Sequence, residues 1–191
     1  MTQTDLFGLA PAQRWPRGLL YTEDLIDAAE AAGLVAAMEN LPFRPFQFHG
    51  YQGAREVVHF GSRWDYSGAV LREAAPMPDA LLPVRRKAAA FAGRDPALFS
   101  QALLTRYAPG APIGWHRDRP VYDEVIGVSL LSPCRLRLRR QRQGGGWDRA
   151  EILTQPRSAY LFSGEARSVW EHSIPPVEAL RYSITFRSLA R

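Results

Sequence analysis

The chain has 191 residues, a formal net charge of +5 and 46% hydrophobic residues. These values suit one globular domain with a substantial core, and the basic balance would attract polyanions. The single cysteine excludes an internal disulfide and a cysteine-based zinc cluster. No apolar run reaches the roughly 18 residues of a membrane-spanning helix, and the polar start does not resemble a signal peptide. We therefore expect a cytoplasmic protein without a membrane segment, and a monomer because nothing suggests an obligate assembly.

Two helices are predicted in the first half of the chain. Thr22 is a suitable N-cap for a helix that runs to about Asn40. A second helix is predicted over residues 79–92, and Gly93 can end it. A short turn at Asp95-Pro96 then leads into a strand over residues 101–107.

Short strands dominate the second half. They are predicted over residues 125–131, 135–140, 151–154, 159–162, 172–174 and 182–188. The glycines at 144–146 read as a hairpin connection, because a phosphate loop would end in Lys-Ser/Thr. Helices followed by many short strands predict an α+β protein with a double-stranded β-helix (jelly roll) core and supporting N-terminal helices. We divide the chain into an N-terminal arm, residues 1–20, and a single domain, residues 21–191.

The most informative motif is His116-x-Asp118, followed 54 residues later by His172. Two imidazoles and one carboxylate form the ligand set of non-haem Fe(II) oxygenases, which keep open coordination positions. Residues two apart on an extended strand point to the same side, so His116 and Asp118 can reach one ion while His172 arrives from another strand. His49 and His59 have no carboxylate at this spacing, and we interpret them as structural or surface residues.

The strand after His172 carries a second pattern, because alternation places polar and apolar side chains on opposite faces. The polar face carries Arg181, Ser183, Thr185 and Arg187, and the other face carries Tyr182, Ile184 and Phe186. An arginine presents a planar fork suited to a carboxylate. A basic strand so close to a metal ligand therefore indicates 2-oxoglutarate as co-substrate. Without the upstream metal motif, a solvated edge strand would be the preferred interpretation.

These motifs resemble the AlkB family of Fe(II)/2-oxoglutarate dioxygenases, whose members carry His-x-Asp, a distal His and a closing Arg-x-Asn-x-Thr-x-Arg-like strand. The resemblance covers roughly residues 41 to 187 and includes the runs 104–107 and 109–116. It implies the same jelly roll fold. It also implies an enzyme that uses Fe(II), 2-oxoglutarate and O₂ and releases succinate and CO₂ as it oxidises a substrate C–H bond.

The resemblance implies roles for individual residues as well. The catalytic metal ligands would be His116, Asp118 and His172. Arg181 would pair with the far carboxylate of 2-oxoglutarate. The same pocket would be lined by Thr105, Tyr107, Ser183 and Arg187. Thr105 and Ser183 stand where the family often has asparagines, so hydroxyl groups would replace amide hydrogen bonds there.

The substrate side is predicted upstream, where residues 49–68 are rich in aromatics, arginines and glycines. Such a segment suits a mobile surface that stacks flat bases and holds phosphates. AlkB-like proteins place a nucleotide-recognition lid here, at about residues 45–70 of this chain. Trp64 or Tyr66 would stack on a flipped base, and Arg55 and Arg63 would hold the backbone. Core packing is the alternative for the two aromatic residues.

A basic strand is predicted from the alternation of arginine and leucine over residues 135–139. It places Arg135, Arg137 and Arg139 on one face, which would contact phosphates or simply face solvent as an outer strand. Cys134 is interpreted as a small buried strand residue.

The sequence as a whole favours oxidative demethylation of N-alkylated nucleobases in DNA or RNA, with a single-stranded nucleic acid as partner. The same oxygenase chemistry on a protein or small molecule is an alternative, because fold does not settle function. A non-catalytic nucleic-acid-binding module is a second alternative, which complete retention of the ligand set and both arginines disfavours.

Overall fold

A computed structural model describes residues 15–48 and 51–190. Most of the predicted N-terminal arm, and His49, lie outside the described residues. The described chain forms three layers. Helices pack on one face of a seven-stranded sheet, and a four-stranded sheet packs on its other face.

The helices are α1 (Ala28–Glu39), α2 (Leu82–Ala92) and α3 (Gly164–Ser168). The first six strands are β1 (Leu19–Thr22), β2 (Arg44–Phe48), β3 (Tyr51–Phe60), β4 (Ser62–Asp65), β5 (Val70–Glu73) and β6 (Gln101–Tyr107). The remaining strands are β7 (Ile113–His116), β8 (Tyr122–Leu130), β9 (Cys134–Gln141), β10 (Trp147–Thr154), β11 (Ala159–Phe162), β12 (Glu171–Ile174) and β13 (Arg181–Leu189).

Helix α1 begins five residues later than predicted, because its N-cap is Asp27 and not Thr22. The Asp27 carboxylate accepts from the Glu30 backbone N–H at 2.8 Å, and the Glu30 carboxylate accepts from the Asp27 N–H at 2.9 Å. This reciprocal capping box satisfies two N–H groups that the helix cannot pair internally. Thr22 instead ends β1, which pairs with β11 and includes the last two residues of the predicted arm.

The second helical segment agrees with the prediction. A single 3₁₀ turn begins at Asp79 and continues into α2, which ends at Ala92. Gly93 follows with φ 66°, a left-handed conformation that glycine adopts without steric cost. Asp95 then caps a short 3₁₀ turn before β6, which has the predicted bounds.

The large sheet has the order β1-β11-β8-β13-β6-β3-β2, and the small sheet has the order β10-β9-β12-β7. Strands β4 and β5 form a separate hairpin. All described pairings are antiparallel. From β8 onward the chain alternates between the two sheets, so strands distant in sequence become neighbours. This arrangement confirms the predicted α+β jelly roll.

The predicted strands of the second half are confirmed, and tertiary pairing lengthens most of them. Strand β10 begins at Trp147 and not at Glu151, because the hairpin with β9 continues to the pair Trp147 and Gln141. The glycines at 144–146 connect these two strands, as predicted, and all three have positive φ.

The two faces of the large sheet bury two separate cores. Toward the helices, Tyr182, Ile184 and Phe186 of β13 pack with residues of α1 and α2. Between the sheets, Leu136 and Leu138 of β9 pack with residues of the large sheet. The apolar face predicted for β13 is therefore confirmed, and its polar face points toward the small sheet. Cys134 is buried, as predicted. In the described part of the chain, no helix has the length and apolar character to cross a membrane.

Candidate metal centre and substrate cavity

A cavity of about 1320 Å³ opens beside the inner face of the large sheet. Its walls come from β6 and β13 of the large sheet and from β7 and β12 of the small sheet. Residues of the predicted lid, between 46 and 66, complete the walls. All of the residues that the sequence predicts as metal or 2-oxoglutarate ligands line this cavity.

The two predicted histidine ligands come together because β7 and β12 are neighbours in the small sheet. His116 and His172 are paired directly across these strands, and their ring centroids lie 4.2 Å apart. Asp118 lies in the loop just beyond β7 and not on the strand itself. Its carboxylate nonetheless reaches the histidines, since the ligand atoms of all three residues lie within 4.8 Å of one another.

Both histidines have the protonation state of a metal ligand. The Nδ1–H of His116 donates to the carbonyl of Gly114 at 3.0 Å, which leaves the Nε2 lone pair free toward the site. Burial lowers the pKa of His116, although Asp118 opposes that shift. Burial, with the repulsion of His116, lowers the pKa of His172 to about 3. Both rings are therefore neutral near pH 7, as metal binding requires.

Asp118 is held ionised. Burial by itself would raise its pKa, but the charge of Arg187 holds the pKa below the usual range. Arg187 Nε lies 3.3 Å from Asp118 Oδ2, and its Nη1 donates to Gln101 Oε1 at 3.2 Å. Arg187 lines the predicted pocket, and its contacts there fix the position of the carboxylate ligand. A neutral-neutral-anionic donor set suits Fe(II).

Arg181 lies at the base of the cavity and is 2% exposed. Its Nη2 donates to Ser129 Oγ at 2.8 Å, and its guanidinium carbon lies 4.9 Å from the ring centroid of Tyr107. Its Nε and Nη1 have no hydrogen-bond partner among the described residues. Thr105 and Ser183 face the same cavity from paired positions of β6 and β13. A buried cation with two unused donors fits one carboxylate of 2-oxoglutarate.

Three of the four predicted substrate residues line the cavity, namely Arg55, Trp64 and Tyr66. Arg63 does not. It lines a smaller neighbouring cavity of about 750 Å³, which shares Phe46, His59, Trp64 and Tyr66 with the main cavity. Side chains alternate along β4, so Arg63 and Trp64 point in different directions.

Phe46 and Arg119 are among the cavity residues that the sequence does not predict as site residues. The guanidinium of Arg55 lies 4.0 Å from the Phe46 ring centroid, and Phe46 meets Tyr66 edge to face at 5.8 Å. Arg119 lies 4.8 Å from the Tyr66 centroid and 5.8 Å from that of Trp64. We call Phe46, Arg55, Trp64, Tyr66 and Arg119 the arginine–aromatic cluster. The only sequence signal for Arg119 is its place next to Asp118.

His59 was interpreted as a structural or surface residue, and the structure places it in the wall between the two cavities. Its Nδ1 is buried without a described partner, and burial together with nearby arginines lowers its pKa to about 4. The alternation of side chains along β3 could have predicted this position, because it directs Arg55, Val57 and His59 to the same face.

The basic strand β9 alternates as predicted. Its arginines are largely neutralised, since Arg135 Nη1 lies 2.5 Å from Glu151 and Arg139 Nε lies 2.7 Å from Glu171. Arg137 donates to Ser173 Oγ at 3.2 Å. These pairings argue against a phosphate contact, but β9 is not an outer strand, because it lies between β10 and β12 in the small sheet.

A jelly roll that joins two neutral histidines and an ionised aspartate beside a buried, unpaired arginine is the arrangement of an iron and 2-oxoglutarate oxygenase. The model of the 2OG-Fe(II) oxygenase superfamily matches residues 18–187, and the chain belongs to this family. It is similar to AlkB proteins, and the family uses Fe(II), 2-oxoglutarate and O₂.

Similarity to individual proteins agrees with this family assignment. The chain is 31% identical over 129 residues to the alpha-ketoglutarate-dependent dioxygenase AlkB of Salmonella typhimurium, covering 60% of this chain and 56% of that protein. It is 25% identical over 186 residues to the alkylated DNA repair protein ALKBH8 homolog of Arabidopsis thaliana, covering 83% and 51%. The chain thus spans about half the length of these curated relatives. The solved structure of OsALKBH1 has a TM-score of 0.68 at 13% identity over 93% of this chain and 100% of that one, which shows the fold.

Proposed function

We propose that this enzyme oxidatively demethylates N-alkylated nucleobases in DNA or RNA. The observation that carries this proposal is the arginine–aromatic cluster, which lies in the same cavity as the metal centre. Flat aromatic faces and guanidinium planes stack on nucleobases, and arginines bind the phosphate backbone. A relative whose name describes alkylated DNA repair also supports it.

His116, Asp118 and His172 would hold Fe(II), and Arg181 would hold the far carboxylate of 2-oxoglutarate. When bound, the iron and 2-oxoglutarate supply the oxidation of a substrate C–H bond by O₂, with release of succinate and CO₂. The protein contributes orientation. Arg187 keeps Asp118 ionised and in place, and the Gly114 carbonyl keeps His116 in the tautomer that binds a metal.

The substrate would enter between the lid and the small sheet. The arginine–aromatic cluster would hold the flipped base so that its N-methyl group lies near the metal centre. An N-hydroxymethyl product is unstable, and loss of formaldehyde returns the unmodified base. Tyr160 would keep the cavity wall uncharged, because burial raises the pKa of its phenol.

The test is incubation of the purified protein with Fe(II), ascorbate, 2-oxoglutarate and O₂, with and without methylated oligonucleotides. The single-stranded oligonucleotides carry 1-methyladenine, 3-methylcytosine, 1-methylguanine or 3-methylthymine. Succinate and the mass of the base are both followed. We expect loss of a methyl group together with succinate formation from at least one oligonucleotide, and a loss of both by at least a hundredfold, roughly, in the Asp118→Ala protein, which lacks one metal ligand.

The other outcomes separate the alternatives. Succinate without demethylation of any oligonucleotide would contradict the proposal and indicate a protein or small-molecule substrate. If neither signal appears while iron occupancy is verified, the non-catalytic module is favoured. Demethylation that survives in the Asp118→Ala protein would contradict the assigned metal centre.

A further inference from the structure

The cavity walls carry more positive than negative charge. Among the described residues, six arginines and three carboxylates line the cavity. The arginines are Arg55, Arg117, Arg119, Arg167, Arg181 and Arg187. Fe(II) and 2-oxoglutarate carry opposite double charges, so their binding leaves this excess unchanged. The substrate therefore meets a cationic site.

Two of the three carboxylates that line the described cavity face arginines of the protein, and the third is exposed to solvent. Asp118 faces Arg187 and belongs to the metal centre. Glu171 is ion-paired with Arg139 at 2.7 Å. Asp123 is an exposed residue whose charge acts on neighbouring arginines. A positively charged base would thus enter without a buried counter-ion, because water screens the charge of an exposed carboxylate.

Arg55 is the cavity arginine with the greatest expected effect on the charge of a bound base. Its guanidinium lies over Phe46 at 4.0 Å, and it has no hydrogen bond or ion pair with any described residue. It is partly buried and lies close enough to His116 and Asp118 to act on them electrostatically. Arg119 is the second such cation, because its guanidinium contacts only aromatic rings in the described structure. The guanidinium groups of the other four cavity arginines donate to protein oxygens.

A partly buried cation without an anionic partner attracts carbonyl oxygens and anions and repels cations. Methylation at N3 of thymine or N1 of guanine leaves a neutral base that presents carbonyl oxygens beside the methylated nitrogen. Methylation at N3 of cytosine or N1 of adenine produces a base that is cationic at neutral pH. The two groups therefore differ in charge at the position that must approach the metal centre.

We propose that Arg55, assisted by Arg119, selects N-methylated bases that carry no positive charge, so that 3-methylthymine and 1-methylguanine are preferred to 3-methylcytosine and 1-methyladenine. This selection rests on the proposed demethylase function. It names the substrate class of that site by the charge of the base.

The test compares two single-stranded oligonucleotides that are identical except for one base, 3-methylthymine or 3-methylcytosine. The two bases have the same ring size and the same methyl position. The enzyme is loaded with Fe(II) and 2-oxoglutarate, and kcat/KM for each oligonucleotide is obtained from the base mass. Binding is measured separately under argon, where turnover does not proceed, by fluorescence anisotropy. We expect the neutral base to be favoured roughly tenfold or more in both measurements, the effect of one charge pair in a partly buried site.

Two variants test whether Arg55 is responsible. Arg55→Gln should reduce the preference to roughly parity, and Arg55→Glu should favour 3-methylcytosine by about tenfold. Arg63→Gln is the matched control, because it removes the same charge from the same lid on the side of the smaller cavity. That variant should change binding of both oligonucleotides equally and leave their ratio intact. Circular dichroism checks folding, and Arg55→Gln alone suffices if Arg55→Glu does not fold.

The outcomes distinguish this inference from the function on which it rests. If the native enzyme demethylates 3-methylcytosine better, or if folded Arg55 variants leave the ratio unmoved, charge selection by Arg55 is wrong while demethylation stands. If no methylated base is processed although succinate forms, the demethylase function fails and charge selection fails with it.

Discussion

Arg181 is the residue that we expect to contribute most to the binding of 2-oxoglutarate. It is 2% exposed, and two of its N–H-bearing nitrogens have no partner among the described residues. An unpaired buried charge costs several kcal/mol unless a ligand compensates it. The adjacent Tyr107 ring and Ser129 hydroxyl hold the guanidinium plane in one orientation. The site therefore supplies both a positive charge and N–H groups that point in a fixed direction.

Arg181→Lys should therefore raise the KM for 2-oxoglutarate by about tenfold to a hundredfold, because lysine keeps the charge and loses the planar fork. Succinate formation as a function of 2-oxoglutarate concentration measures the effect. Arg135→Lys is the control, since Arg135 forms an exposed ion pair with Glu151 and does not line the cavity. An unchanged KM in a folded Arg181→Lys protein would show that 2-oxoglutarate is held elsewhere.

At the scale of elements, strands β8 and β11 meet at a glycine. Gly127 is paired with Tyr160, and a Cβ added at Gly127 would overlap the Tyr160 ring. The ring therefore lies across β8, from where it forms part of the cavity wall. Gly33 in α1 is the opposite case, because an added Cβ there would meet no atom within 4 Å.

The two glycines should respond to alanine in opposite directions. Gly127→Ala should lower the free energy of unfolding by about 1–3 kcal/mol, since the strand is overpacked. Gly33→Ala should raise the free energy of unfolding by roughly 0.5–1 kcal/mol, because the unfolded chain loses freedom and the helix gains a better former. Urea unfolding of the two variants beside the native protein gives both values. A stabilised Gly127→Ala protein would mean that Tyr160 is not held against β8.

At the scale of the whole molecule, the alternation of the chain between two sheets assembles the metal centre. The strand pairing of β7 with β12 brings His116 beside His172, although the two lie 56 residues apart in the sequence. The net charge of +5 acts at the same scale, because the attraction of a polyanion depends on the summed charge of the protein.

Binding of a single-stranded oligonucleotide should weaken with salt, because arginines that contact phosphates displace condensed counter-ions. For about three phosphate contacts, affinity should fall roughly tenfold to twentyfold between about 50 and 200 mM salt. Fluorescence anisotropy in a salt series measures this slope. Succinate formed without oligonucleotide serves as the control for loss of the enzyme itself. An affinity that does not change with salt would be evidence against a nucleic-acid substrate.

Much of the fold was predictable, because helices and strands leave local periodic signals. The bounds of β6 and β11 and the end of α2 at Gly93 agree with the structure. The predicted start of α1 at Thr22 was wrong, because Asp27 caps the helix. Only the pairing of β1 with β11 excluded Thr22 from the helix.

The sequence by itself determined which residues are candidates for the metal ligands and, in Arg181, for the 2-oxoglutarate site, because this chemistry depends on side-chain type and on spacing along the chain. Only the tertiary structure decided which groups these residues contact. The ion pair of Arg187 with Asp118 and the contact of Arg119 with the lid join segments that are distant in sequence. Such contacts depend on strand register and on which sheet each strand enters, and neither leaves a local pattern in the amino-acid sequence.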